Sequence, residues 1–597
     1  MRTRLLLLAF AVLLPSATTL AQTPRRRALC PDAQYAVVGA PLAAGAATSA
    51  TVEIGARAGL GGLCPLAGAV VSRTTVRGTT VVRARWETCP GMPGPVTLRA
   101  RLVDGCTRLF GEIRAPGMQR RVEALRADCG DGILDADAPA LPYAATLESL
   151  ATHPLPRWFD DAKFGIMIHW GIFTIPAWAE TVIDPREWLT GTRLIDPPDY
   201  GSPFFTHIPY TEWYSNTILI DGSPAQQHHL ATYGPDLRYE DFRPQFEAAA
   251  SAWSGEAWAD AFRDAGAKYV VLVTKHHDGF ALWPTTVPHP KRADWHMARD
   301  VVGELSSAVR RDCMRMGLYY SGGFDWSVQP GPVRNSFDAL TVAPQTPEYI
   351  AYAGGQWREL IDRYRPAVLW NDIGYPNNGK VLDLFADYYN RVPDGVINDR
   401  FSLIAGLTHH DYVTPEYAVL ADISTTKFET VRGMGRGFGY NQNEHDADLD
   451  SAQELIELLI DVVSKNGNLL LNVGPLADGT IPVEQASRLR AIGAWLGVNG
   501  EAIFASRPWT RAAGVTSDGT PLRFTSSADG HTVYAFVLGP LPATGTITLV
   551  NVPLTPSSAT LLGASTALTA TPLGNDLRIS LPPAVATQTA YTFALRQ

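Results

Sequence analysis

The chain has 597 residues, of which 46% are hydrophobic and 18% charged; Lys plus Arg (50) against Asp plus Glu (59) leaves a net charge of −9. It is too long for one hydrophobic core, so two to four domains are expected, and too apolar for a disordered chain. A mildly acidic total without a lysine-rich patch argues against a nucleic-acid partner.

At the start, Arg2 and Arg4 precede an apolar run from Leu5 to Leu14 and a small-residue site at Thr19-Leu20-Ala21. This is the form of an export signal over residues 1–21, the other reading being an uncleaved anchor. The run is short for a membrane span and no later segment repeats it, so a secreted or periplasmic protein with no span after cleavage is expected. Residues 22–134 carry short alternating runs, among them TVEIGARA, TTVVRARW and VTLRARLV, between Gly and Pro turns. They predict a small antiparallel β domain with no catalytic constellation. Cys30, Cys64, Cys89, Cys106 and Cys129 lie before residue 130 and only Cys313 beyond. In an oxidising compartment that clustering reads as two disulfides in the small domain with one thiol left over, the pairing open; no C-x-x-C pair points to a metal. The Gly/Asp/Pro-rich stretch 135–145 reads as a linker.

Over 146–505 short apolar runs alternate with helical ones. The runs FGIMIHW, YVVLVTK, MGLYYS, AVLWND, GVINDR, DYVTPEY, GFGYN and NLLLNVG make eight strand candidates. Stretches such as GEAWADAFRDAGAK, VVGELSSAVRRDCMR and SAQELIELLIDVVSK supply helices between several of them. Eight such units predict an α/β fold, a TIM-like (β/α)8 barrel, in which the C-terminal strand ends carry the chemistry. Residues 506–597 return to alternation and predict a C-terminal antiparallel β-sandwich.

Polar and aromatic residues close the strand candidates. Asp372 ends AVLWND beside Trp370 and Asn371, and Glu416 ends DYVTPEY two strands further round. Two carboxyl groups across such a bowl suit glycoside hydrolysis, although an N-cap Asp and a surface Glu would look the same. His169, His276 and His277 can hydrogen-bond sugar hydroxyls, bind a metal or serve structure. A metal site on the first strand calls for an H-x-H pair where IHWG has one His, and adjacent strand residues face opposite sides. Arg400 can hold a carboxylate or a hydroxyl, or form a rim ion pair. Glu212-Trp213 couples a carboxylate to an aromatic platform, and Phe438 can form an apolar wall.

Read in order, WFDDAKFGIMIHWGIF, AGAKYVVLVTKHHDGFALW, GLYYSGGFDW, VLWNDIGYP, VINDR, TPEY, GFGYNQNE and DVVSKNGNLLLNVGPLADGTIP resemble the α-L-fucosidases of glycoside hydrolase family twenty-nine. The resemblance spans roughly Pro154 to Ser506 and extends through the C-terminal domain. It implies a retaining exo-α-L-fucosidase that acts on a fucosylated glycan without cofactor or metal. In that family the Asp of VLWND is the nucleophile, here Asp372, and in bacterial members the Glu of TPEY is the acid/base, here Glu416. His169, His276, His277, Trp370 and Arg400 match positions that hold fucose hydroxyls; Glu212, Trp213, Tyr319 and Phe438 match pocket residues of some members. The acid/base position varies across the family, which keeps Glu212 and Glu180 as alternatives. Two rival readings are a catalytically silent fucose-binding barrel, disfavoured by the presence of both carboxylates, and a metal-dependent hydrolase. The N-terminal domain lies outside the resemblance, where carbohydrate binding, surface anchoring and spacing are all open to it.

Overall fold

The computed structural model describes residues 142–597 apart from 186–202, 330, 377–379, 403–407, 544, 565 and 583–585, together with the strands between 33 and 126. The export signal, the five cysteines before residue 130 and most of the linker lie outside the described residues. No helix among the described residues is long and apolar enough to cross a membrane.

The N-terminal alternation becomes one antiparallel sheet: β1 Ala33–Val37, β2 Thr51–Ile54, β3 Ala58–Leu60, β4 Ala69–Val76, β5 Thr79–Trp86, β6 Val96–Val103, β7 Arg108–Ala115 and β8 Met118–Arg126. Their order is β3-β2-β1-β8-β7-β6-β5-β4. Period-two patterning shows directly, since Val82, Ala84, Val96 and Leu98 are buried while Arg83, Arg85 and Arg99 are exposed.

Seven parallel strands form the second sheet: β9 Phe164–Ile168, β10 Tyr269–Lys275, β11 Arg315–Ser321, β12 Val368–Asp372, β13 Val396–Ile397, β14 Phe428–Arg432 and β15 Gly467–Val473. They are ordered β13-β12-β11-β10-β9-β15-β14. Every residue of these strands is buried, which is why most of them read as continuous apolar runs rather than alternating ones. Helices follow several strands: α1 Gly255–Asp264, α2 Val301–Arg311, α3 Pro347–Tyr364, α4 Val381–Arg391, α5 Ala452–Ser464 and α6 Val483–Asn499. Ser254, Asp300, Thr346 and Ser451 start four of them by accepting from the backbone N–H three residues on, and Ser451 with Glu454 forms a full capping box. Each presents an apolar stripe to the sheet, for example Trp258, Ala259 and Phe262 on α1.

The gap between β13 and β14 is spanned by 411–417. Parallel bridges join Asn398 to Tyr412 on one side, and Val413 to Phe428 and Glu416 to Val431 on the other. Pro415 has no N–H to donate, so the segment makes bridges rather than a ladder. Its start is stapled by Asp411, which accepts from Ile397 N (2.7 Å) and Tyr389 OH (2.7 Å) and pairs with His153 (3.0 Å). GFGYN, expected as a strand, is a loop; the strand that pairs with β15 is β14, which ends at Arg432, before GFGYN begins. FETVR was hidden because its buried Glu429 and Arg432 break the apolar run by which an inner strand is recognised.

The C-terminal residues form a six-stranded sheet and a three-stranded sheet, all antiparallel. In chain order the strands are β16 Ser506–Val515, β17 Pro521–Ser527, β18 Thr532–Val537, β19 Thr546–Leu549, β20 Ser558–Leu561, β21 Ala567–Leu568, β22 Ala570–Leu573, β23 Asp576–Ser580 and β24 Tyr591–Arg596. Phe524, Val533 and Phe593 from one sheet and Ile547, Leu549 and Ile579 from the other share one buried cluster. Tyr534, Phe536 and Ala594 instead join the core of the parallel sheet and its helices. Arg507 clamps this unit to Asp160 (2.9 Å) and Asp161 (2.8 Å).

One buried ion pair supports the strand ends. Lys275 Nζ meets Asp325 Oδ2 at 2.7 Å, both side chains fully buried, with the ammonium 4.4 Å from the Tyr320 ring centroid. Asp325→Ala leaves that ammonium unpaired and is expected to cost about 3–5 kcal/mol in urea unfolding. Lys275→Met combined with Asp325→Leu is expected to recover most of the loss; a double variant as unstable as the single one would refute the ion-pair account.

Candidate active site

A cavity opens at the C-terminal strand ends. All eleven side chains selected from the sequence line it: His169, Glu212, Trp213, His276, His277, Tyr319, Trp370, Asp372, Arg400, Glu416 and Phe438. Glu180 does not. It lines a separate small cavity and contacts His207.

Asp372 closes β12, Arg400 sits in a one-turn 3-10 helix after β13, and Glu416 lies in the bridging segment. Arg400 Nη1 donates to both carboxylates, to Asp372 Oδ1 at 3.1 Å and Glu416 Oε2 at 3.0 Å. Laid end to end, those contacts allow the two oxygens no more than about 6 Å. Burial would lower the guanidinium pKa, but the charges of Asp372 and Glu416 outweigh it and raise it. Arg400 is itself held: its Nε donates to Thr414 Oγ1 (2.9 Å), Nη2 to Thr414 O (3.0 Å), and its plane stands 4.7 Å from the Trp370 ring centroid. Thr414 in turn donates to Asp399 through Oγ1 (2.6 Å) and N (3.1 Å).

Asp372 has four further donors around it. Tyr319 OH gives to Oδ2 (2.8 Å), Ile373 N to Oδ1 (3.0 Å), and Gly322 N and Gly323 N fix its carbonyl (3.3 and 3.2 Å). Ile373 adopts φ 57°, a left-handed conformation that a β-branched residue rarely takes. Gly323 makes this possible, because a Cβ there would lie 1.7 Å from the Ile373 carbonyl oxygen. Glu416 receives Tyr210 OH at Oε1 (3.1 Å).

The histidines present lone pairs to the cavity. Asn472 Nδ2 donates to Phe438 O (2.6 Å), so its Oδ1 accepts from His169 Nδ1 at 2.7 Å. Ser321 Oγ donates to Phe324 O (2.7 Å), so it accepts from His277 Nδ1 at 2.6 Å. With Nδ1–H committed, each ring keeps an unprotonated Nε2. Burial pulls His169 down to about 4 and His277 to about 3, and burial lowers His276 as well, so all three are neutral near pH 7. His276 and His277 were expected on opposite faces. They share the cavity because β10 ends at Lys275 and the chain turns through 276–278, bringing the rings to 4.0 Å.

Glu212 is almost fully buried. Gly439 N donates to its Oε2 (2.8 Å), a close approach that a Cβ at 439 would block, while Oε1 and His276 Nδ1 have no hydrogen-bond partner. Both residues line the cavity, and a buried polar atom without a partner is costly. Burial pushes Glu212 up to about 7. Below the cavity floor Glu429 is raised to about 7, also by burial, and takes hydrogen bonds from Trp370 Nε1 (2.9 Å) and Tyr269 OH (2.5 Å).

Met167, Tyr210, Ile373 and Val431 also line the cavity and were not selected from the sequence. Tyr210 stands next to TEWY and could have been drawn from that motif; the three aliphatic residues look like core in any pattern. Among the described residues, the group of His and Asp with converging ligand atoms is His153, His409 and Asp411, outside the cavity.

The family profile for α-L-fucosidase matches residues 134–501. Tissue α-L-fucosidase of Homo sapiens is 33% identical over 516 residues, 81% of this chain and 99% of that protein. The tissue enzyme of Bos taurus is 33% identical over 469 residues, 76% of this chain and 91% of that protein. Among solved structures, a Thermotoga maritima α-fucosidase in complex with a mechanism-based inhibitor is similar with TM-score 0.68 and 39% identity, over 76% of this chain and 100% of that one.

The raised pKa of Glu212 makes a stability prediction. The folded state keeps its proton up to about pH 7, whereas the unfolded chain releases it near the ordinary 4.5, so stability from this group falls as pH rises between those values. Glu212→Gln removes that loss. Its Tm relative to the parent is expected to climb from pH 4.5 to 7 and then level; a difference independent of pH would contradict a protonated Glu212.

Proposed function

Since the chain belongs to the α-L-fucosidase family, glycoside hydrolase family twenty-nine, it is an exo-α-L-fucosidase, and we propose that Asp372 is its nucleophile and Glu416 its acid/base. The observation that carries this assignment is the single Arg400 nitrogen shared by the two carboxylates. Retaining pairs stand about 5–5.5 Å apart; the shared nitrogen keeps Asp372 Oδ1 and Glu416 Oε2 on the same side of the cavity, and the family membership supports retention. Glu180, in another cavity, and Glu212, buried against Gly439, are worse placed for the acid.

In the first step Asp372 attacks the anomeric carbon as the glycosidic bond breaks, and protonated Glu416 gives its proton to the leaving oxygen. In the second, Glu416 takes a proton from water as the water oxygen bonds to the anomeric carbon and the Asp372 ester bond breaks. Two inversions return the original configuration, and no cofactor is needed. Asp372 Oδ1 is tied by two donors, so Oδ2, held by Tyr319, is the freer oxygen for attack. His169 and His277 accept from sugar hydroxyls through Nε2, while His276 Nδ1 and Glu212 Oε1 find their missing partners. Phe438, Met167 and Val431 supply an apolar wall for the C6 methyl group, a discrimination worth only about 1–3 kcal/mol by itself.

The same reading takes the parallel strands with 411–417 as an eight-stranded TIM-like (β/α)8 barrel and the two C-terminal sheets as a β-sandwich. It also takes residues 1–21 as an export signal, so that the enzyme works outside the cytoplasm on fucosylated glycans.

The test is hydrolysis of p-nitrophenyl α-L-fucoside. Asp372→Ala is expected to abolish release, and Glu416→Ala to slow it by about 10²–10⁴-fold. Azide should rescue Asp372→Ala as the β-fucosyl azide and Glu416→Ala as the α-fucosyl azide; the opposite stereochemistry would exchange the two roles. Gly323→Ala, which displaces Ile373 beside the nucleophile, is expected to lower kcat by roughly 10²-fold.

A further inference from the structure

The two displacement steps give Tyr210 no task, although its hydroxyl donates to the acid/base itself, at Glu416 Oε1 (3.1 Å). The phenol is held firmly. Its ring is buried and packs edge-on against Phe438 (5.4 Å between centroids) and Phe204 (6.2 Å). Gly437 lets the backbone before it come close, since a Cβ there would lie 2.9 Å from Pro209 O. Tyr210 O accepts from Trp213 N (3.0 Å), so one short segment sets both this phenol and Glu212.

Among the described residues, Glu416 has a donor at each side-chain oxygen: Arg400 Nη1 at Oε2 (3.0 Å) and Tyr210 OH at Oε1. The other titratable groups around the pair are committed elsewhere. Tyr319 donates to Asp372 (2.8 Å), Tyr417 to the carbonyls of Gly435 (3.1 Å) and Gly437 (3.3 Å), and Glu212 accepts from Gly439 N (2.8 Å). Burial first, and then the charges of Glu416 and its neighbours, push the Tyr210 phenol well above its ordinary value, so it keeps its proton.

The two oxygens of Glu416 are therefore not equivalent. A guanidinium has only donors, so a proton on Oε2 would face another N–H. A phenol oxygen accepts as well as donates, so Oε1 can carry the proton beside it. Oε2 also shares its arginine nitrogen with Asp372 (3.1 Å), which leaves Oε1 as the oxygen outside that contact.

We propose that Tyr210 is a positioning residue of the acid/base: it makes Glu416 Oε1 the oxygen that exchanges the proton, and it holds the ionised carboxylate in place between the two steps. In the first step the Oε1–H bond breaks as the proton passes to the glycosidic oxygen, and the freed oxygen takes up the tyrosine's hydrogen bond. In the second, the proton from water arrives on Oε1 and the hydroxyl turns from donor to acceptor. This role rests on the reading of Glu416 as the acid/base.

The test is the pH dependence of kcat/KM for p-nitrophenyl and phenyl α-L-fucosides with the full-length parent, Tyr210→Phe and Glu416→Gln. Phenol is the poorer leaving group, so the phenyl substrate leans more on the acid. The parent is expected to lose activity at alkaline pH as its acid ionises, a limb absent from Glu416→Gln on the nitrophenyl substrate. In Tyr210→Phe the limb is expected about one pH unit higher, because the carboxylate has lost a donor that favours its ionised form. Near neutral pH its kcat is expected to fall about tenfold, with KM within about twofold of the parent's. A Tm close to the parent's reports that the ring still packs. An unmoved limb in a folded Tyr210→Phe, with or without a change in KM, would make the tyrosine a plain cavity wall; that overturns the proposal and leaves the catalytic reading intact. A limb that persists in Glu416→Gln would remove Glu416 from the acid/base role, and Tyr210 from its own.

Discussion

The arrangement on which the site depends is one guanidinium held between two carboxylates. Arg400 reaches Asp372 and Glu416 from a single nitrogen, and those residues come from different structural contexts: the end of β12 and a segment that is barely a strand. Two carboxylates that close would repel each other; the shared cation offsets that repulsion and fixes their spacing. The cation therefore has to be immobile. Thr414 holds two of its nitrogens, Asp399 holds Thr414, and the face of Trp370 lies beside it.

Behind this contact is a second tier of buried polar groups, each with its donors and acceptors assigned by the next. Trp370 is fixed through its ring N–H by Glu429, which also takes the Tyr269 hydroxyl. His169 and His277 are oriented by Asn472 and Ser321, whose own hydrogen bonds leave them one acceptor each. A polar network in a low-dielectric interior is rigid when satisfied and costly when not. Two atoms on residues of the cavity wall, Glu212 Oε1 and His276 Nδ1, are left without a hydrogen-bond partner. Strain is kept at the same place: Ile373 is left-handed immediately after Asp372, and Gly323 makes room for it.

Charge is distributed as unevenly as polarity. The sheet at the start of the chain is rich in arginine and the remainder is acidic. Because the sheet alternates buried aliphatic and exposed arginine positions, its fold and its electrostatic face arise from the same period-two pattern. The catalytic part works differently, with its charges buried in pairs, as in Lys275 with Asp325.

Much of this was legible in the chain alone. Apolar runs closed by polar residues marked the inner strands, because a strand buried on both faces must be apolar along its length and a parallel sheet places its chemistry at one end. The residues at those ends, Asp372, Glu416 and the three histidines among them, do meet in one cavity. What failed was local pattern where function replaced it. β14 is hidden in the sequence because it buries Glu429 and Arg432, and GFGYN resembles a strand end through its glycines and aromatics while serving a loop whose backbone must approach Glu212. Met167, Ile373 and Val431 give no signal, since an aliphatic residue reads the same in a core as in a cavity wall. The sharing of Arg400, the tautomers of the histidines and the orphaned Glu212 oxygen depend on partners up to some 300 residues apart, as His169 and Asn472 are. Sequence determined which chemical groups each strand end would carry; only the packed sheet decided which of them touch, because hydrogen-bond geometry between distant segments exists only once those segments are brought together.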